Sequence, residues 1–197
     1  MLSVVDQSPM REGSTAGTAL RETIDLAVAV ESLGYHRYWV AEHHSIPNFA
    51  GTSPEMLIGQ IAAKTETIRV GSGGVMLSHY SSLKVAENFS LLNSLYPGRI
   101  DLGIGRAPGS DQVTASALAY PSHPKEIRYF PQQIHDLLGF LSNTLEDDHP
   151  FSSIQVSPSI SETSPTVWLL GSRYDSAMMA AQMGLPFAYA HFFGSGS

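Results

Sequence analysis

A short apolar run, a turn and a stretch of helical periodicity recur along this chain, and that alternation constrains the fold more than any other feature. Leu2–Val5, Tyr38–Ala41, Ile68–Met76 and Ile100–Gly105 are the first four apolar runs, and Val167–Leu170 and Phe187–Ala190 follow later. Residues 18–33 place Leu20, Ile24, Ala27, Val28 and Leu33 at helical spacing, and Gly34 stands where a helix-ending glycine belongs. Ser53-Pro54-Glu55 reads as a cap, a first-position proline and a first-turn acid, opening a second helix. A third begins at Ser82, carries Val85, Phe89, Leu92 and Leu95 on one face, and stops at Pro97-Gly98. A fifth apolar run is followed by a helix over Ser172–Met183. Helical crossovers make all six runs parallel strands.

Residues 106–165 interrupt this rhythm after the fourth strand. The excursion is rich in Pro and Ser, as in SSIQVSPSISETSP, and holds one expected helix over Tyr129–Leu141. Connections of this length are typically functional lids or mobile excursions. Six βα units satisfy an open doubly wound sheet, whereas a closed (β/α)8 barrel needs eight strands. The strand count alone therefore favours the open sheet, or else describes the first three-quarters of a barrel. Residues 1–193 read as one domain, and the Gly-Ser-Gly-Ser of residues 194–197 reads as a linker-like tail.

Composition narrows the function. A net charge of −7 with no basic cluster is a poor match to a nucleic-acid backbone. No apolar run is long enough for a membrane helix, and MLSVVDQSPMREG lacks the pattern of a secretory signal. A chain with 0 Cys offers no disulfide, no thiolate nucleophile and no Cys-ligated metal. The expectation is a soluble, cytoplasmic α/β protein.

Two strands have an unusual inner face. Ile100, Leu102 and Ile104 alternate with Asp101, Gly103 and Gly105, and Val70-Gly71-Ser72-Gly73-Gly74-Val75 is similarly stripped of side chains. Glycines in adjacent strands leave room for a flat molecule, although a bulge or close packing explains them equally well. Glu42-His43-His44 follows the second strand, at the strand end where parallel α/β folds carry their chemistry. His43 has the pKa range of a general base. A metal site is the rival reading, yet consecutive strand residues face opposite ways, so His43 and His44 are poorly placed to share an ion. His79 and His191 follow the third and sixth strands on the same side. Arg106 follows the fourth strand, and Gly171-Ser172-Arg173 opens a helix, an arrangement suited to an anion such as a phosphate. No GxGxxG or Walker sequence is present, so neither NAD-type nor P-loop binding is supported.

From AEHHSIPNFAGTSPEML through RVGSGGVML to YPGRIDLGIGRAPGSD, and again at TVWLLGSRYDSAMMAAQMGLPFAYAHFF, the chain resembles the bacterial luciferase-like flavin-dependent monooxygenases. The resemblance implies a TIM-type (β/α)8 barrel, here incomplete, with FMN at the C-terminal strand ends. It also implies reduced FMN supplied by a separate flavin reductase, activation of dioxygen as a C4a-peroxyflavin, an organic substrate and a homodimer. Matched by position, His43 falls on the catalytic histidine and Glu42 on a flavin-site acid. Gly73-Gly74 falls on a cis peptide against the isoalloxazine, and Arg106 and Ser172 fall on phosphate contacts. Gly171 stands where the family carries an acid. A non-catalytic flavin-binding or structural barrel fragment that oligomerises is the alternative, and residues 107–165 are expected to build part of the substrate pocket.

Overall fold

The computed structural model describes residues 1–106, 111–159 and 163–193. In chain order its elements are β1 (Ser3–Asp6), α1 (Ala16–Ser32), β2 (Arg37–Val40), α2 (Pro54–Ala62), β3 (Arg69–Met76), α3 (Ser82–Leu95), β4 (Ile100–Gly105), α4 (Gln112–Ala119), α5 (Phe130–Ser142), β5 (Thr166–Gly171), α6 (Tyr174–Gln182) and β6 (Phe187–Tyr189). The expected strands are all present, within a residue or two at each end. The tail at residues 194–197 and the Ala107-Pro108-Gly109 part of the Arg106 motif lie outside the described residues.

The local signals act largely as the sequence implies. Thr15 caps α1, its side-chain oxygen accepting the Thr18 N–H, and Gly34 ends that helix at φ +77. At α2, Pro54 is the first helical residue, but the Ser53 hydroxyl makes no capping bond. The Ser53 carbonyl meets the first turn instead, accepting from the Met56 and Leu57 N–H groups at 3.1 and 3.4 Å. The excursion holds one helix more than periodicity predicts. α4 is capped by Asp111, whose Oδ1 accepts from the Val113 and Thr114 N–H groups at 2.8 and 2.9 Å. Only Ala115 of α4 is buried, so no apolar stripe announces it. α5 does carry one, burying Ile134 and Leu137 on the side that packs against α3.

Strand order decides between the two architectures. The six strands pair in parallel and in chain order, β1 through β6, without reversal. A doubly wound sheet reverses at a switch point and carries helices on both faces. Right-handed crossovers that always step the same way put every helix on one face, so the sheet is an arc of a (β/α)8 barrel, and the open-sheet alternative falls. The helix-facing side chains, among them Tyr38, Val70, Ile100, Leu102, Ile104 and Leu169, join Ile58, Ile61, Phe89 and Leu137 in one apolar core.

The inner face is of different character. Val5, Trp39, Gly71, Asp101 and Thr166 align in register across five strands. Asp101 is fully buried there, accepting from Arg37 Nε at 2.9 Å, Trp39 Nε1 at 3.1 Å and Arg69 Nε at 3.0 Å. Trp168 packs edge-on to Trp39 and under the Arg37 guanidinium. This cluster fills the inner face below the C-terminal strand ends. Above it the glycines take over, for two reasons that the structure separates. A Cβ on Gly71 would lie 2.5 Å from the Asp101 carbonyl oxygen and one on Gly74 2.7 Å from that of Gly103, whereas one on Gly105 would meet nothing. Backbone cannot yield to such contacts. Gly71→Ala is therefore expected to cost about 2–3 kcal/mol, lowering the melting temperature by about 4–12 °C. Gly105→Ala on the neighbouring strand should leave the melting temperature unchanged by calorimetry.

Candidate functional site

The C-terminal ends of all six strands surround one cleft of about 490 Å³, within the range of small-molecule sites. Its floor is Gly73 and Gly74, joined by a cis peptide, with Gly105 beside them. The β3–β4 pairing shifts register between Gly73 and Val75, so the bulge and the bare ligand-facing surface, alternatives in the sequence, are one feature. Ala41, Glu42 and His43 line the cleft from β2, Arg106 from β4, and Gly171 and Ser172 from β5. The seven site residues named from sequence thus converge on a single cavity. Gln7, Met76, Ile127, Arg173, Ser176 and Phe192 also line it and were not singled out. Arg173 was visible within the quoted Gly-Ser-Arg motif, but the others carry no local signal. Of the described excursion residues after Arg106, Ile127 reaches the cleft.

Glu42 and His43 are adjacent in sequence and do different work. Glu42 is only 2% exposed. Its Oε1 accepts from the Tyr80 hydroxyl and from His44 Nε2, both at 2.7 Å, and its Oε2 accepts the Met76 N–H at 2.9 Å. Three donors satisfy this buried carboxylate within the protein itself. Burial and the nearby Glu42 charge hold the Tyr80 phenol well above its usual range and push the Glu55 carboxyl up as well. His43 turns the opposite way, into the cleft. Its ring lies 4.7 Å from that of Phe49, and its Nδ1 is buried with no hydrogen-bond partner among the described residues.

The histidines do not assemble as a metal site. His44 is committed to Glu42, His79 lines a second cleft of about 270 Å³ with Glu55, Tyr80 and Lys84, and His191 stacks near Tyr189. His79 and His191, which follow β3 and β6 on the same side, are not among the residues lining the His43 cleft. The 3-10 turn Leu77–His79 carries His79 away to the α2–α3 side. No group of three or more His, Cys, Asp or Glu side chains placed to hold an ion occurs among the described residues. Nor does any described helix have the length and apolarity to cross a membrane.

Charge at the cleft is uneven. Glu42 is already saturated, while Arg106 and Arg173 form no ion pair among the described residues. An acidic protein thus presents at one rim two arginines without an ion pair among the described residues, beside the N-terminus of α6, where free N–H groups also favour an anion. Gly171 fits this rim because a Cβ there would lie 2.6 Å from that of Ser176 in α6. Burial holds the His43 imidazole below its ordinary value, partly offset by Glu42. A base harder to protonate folded than unfolded makes stability fall as pH drops through about 6.5, the unfolded value. His43 is accordingly expected to titrate below the ordinary imidazole value in an NMR pH series. His43→Gln should remove part of the acid-side loss of stability.

Known proteins share this sequence and arrangement. The family model described as luciferase-like monooxygenase matches residues 1–194. The Bacillus subtilis protein YwcH is 53% identical over 97% of this chain and 57% of its own length. The N-acetyl-S-alkylcysteine monooxygenase of the same organism is 46% identical over the same shares. The crystal structure of apo-MsnO8 superposes with a TM-score of 0.88 at 46% identity, over 97% of this chain and 55% of that one. More distantly, the oxygenating constituent of 3,6-diketocamphane monooxygenase, solved in complex with FMN, shares the fold at a TM-score of 0.72 and 19% identity, over 94% of this chain and 56% of that one. The chain spans about half the length of the curated relatives it matches. With a model match over nearly every residue and relatives at this identity, the chain belongs to the luciferase-like monooxygenase family.

Proposed function

We propose that this chain carries the flavin site of an FMN-dependent monooxygenase acting on a small organic substrate. One observation carries the reading: the seven residues named from sequence line a single cleft whose floor is bare glycine backbone and whose rim bears Arg106 and Arg173. The residues fit the group. Gly73, Gly74 and Gly105 leave a flat surface for the isoalloxazine ring, and Val5, Met76 and Leu170 supply apolar walls. Arg106, Ser172 and the first turn of α6 would hold the phosphate, Arg106 as a charged fork and the helix through its free N–H groups. The FMN complex of the diketocamphane enzyme supports flavin in this fold.

When bound, reduced FMN supplies the electrons that activate dioxygen, one oxygen atom going to the substrate and the other to water. The protein's part is to bind, to exclude water and to manage protons. His43 is the catalytic residue of this reading. Lining the cleft, with burial disfavouring its charged form, it is placed to accept a proton or donate a hydrogen bond where the substrate meets the ring. Glu42 serves the same site by holding β3 in place. A flavin reductase as partner, a homodimer and a cytoplasmic setting belong to the same proposal. A second reading is a barrel fragment that binds flavin without turnover and oligomerises.

Flavin titration with a turnover assay separates these readings. Arg106→Ala should weaken FMN by about 10-fold or more, the loss of a charge-assisted hydrogen bond, and leave riboflavin untouched. His43→Ala should still bind flavin and lose reductase-dependent oxygen transfer. Undiminished turnover in that variant would remove His43 from its role, and saturable FMN binding without turnover in the unaltered chain would select the second reading.

A further inference from the structure

Tyr80 has no part in the chemistry above, yet it stands between the cleft floor and the excursion that reaches over it. Its hydroxyl donates to Glu42 Oε1 at 2.7 Å, and the other oxygen of Glu42 accepts the Met76 N–H at 2.9 Å. Met76 ends β3 just beyond Gly73-Gly74, where the pairing with β4 skips Gly74. The carboxylate therefore ties the least regular part of the floor to the end of β2. On its other side, the Tyr80 carbonyl accepts from Gln133 Nε2 at 3.3 Å and from Lys125 Nζ, two residues before the cleft-lining Ile127. Removing one donor leaves a buried carboxylate under-satisfied, so that the backbone it holds loses its fixed position.

We propose that Tyr80 is a positioning residue for the flavin ring, acting through Glu42 to hold the Gly74–Met76 floor in register. This inference rests on the flavin reading of the cleft. The floor meets the ring rather than the phosphate, so a loosened floor weakens FMN and riboflavin alike. Loss of the Arg106 fork weakens FMN alone.

The test is a double-mutant cycle of Tyr80→Phe and Glu42→Gln, each variant titrated with FMN and with riboflavin by flavin fluorescence. Tyr80→Phe should weaken both flavins by the same factor, about fivefold, the worth of one hydrogen bond. The double variant should lose no more than the worse single one, because both changes break the same link. A Tyr80→Phe chain of unchanged mass and circular dichroism that binds both flavins like the parent overturns the proposal. So does a double-variant loss equal to the product of the two single losses. Should Tyr80→Phe fail to fold, the isosteric Glu42→Gln alone carries the comparison: equal weakening of both flavins supports the link, and unchanged binding refutes it. An unaltered chain that binds neither flavin brings down the flavin reading, whereas an unaltered chain that binds both beside an unaffected variant brings down only the role of Tyr80.

Discussion

β3 and β4 approach so closely that their shared inner face has no space for a Cβ at Gly71, Gly74 or Gly103. Much of the rest of the molecule follows from that approach. With side chains removed from one face, Val70, Val75, Ile100, Leu102 and Ile104 turn outward, and the core is the layer between sheet and helices. The inner face is left as bare backbone at the strand ends, which is the condition for a flat ligand to lie against it. Gly74 belongs to both the close approach and the cleft floor.

Two buried carboxylates frame that glycine surface. Asp101 lies below it, neutralised by Arg37 and Arg69 and bonded by Trp39. Glu42 lies above it, held by a hydroxyl, an imidazole and a backbone N–H. A buried charge without partners costs several kcal/mol, so each requires its own set of donors. Once both are satisfied internally, the charges left facing the cleft are positive. A cationic cleft rim on a chain of net charge −7 therefore results from pairing these acids elsewhere.

Much of this was legible in the chain. The six βα units, the Gly34 and Pro54 punctuation and the excursion after β4 are local signals, each set by residues near in sequence, and they stand where periodicity puts them. The residues named for the site, from Glu42 and His43 through Gly73, Gly74 and Arg106 to Gly171 and Ser172, follow from their places near strand ends. What stayed hidden was not local. α4 buries a single alanine, so periodicity had nothing to report. Tyr80 sits at the close of a short turn, and its importance comes from a hydroxyl that meets a residue 38 positions away. His79 follows β3 on the same side as His43, and only the 3-10 turn places it at another cleft.

The sequence by itself determined the order and kind of the elements and, through strand alternation, which residues turn toward the helices and which inward. These are short-range matters, governed by propensity, capping and a period of two. Strand order was decided only in three dimensions, because six parallel strands suit an open sheet and a barrel arc equally until their neighbours are known. The tertiary structure likewise decided which ionisable groups remain available. Burial and pairing are properties of assembled surroundings: they spend Asp101 and Glu42 on arginines, a tyrosine and a backbone amide, and leave His43 and Arg106 facing the cleft.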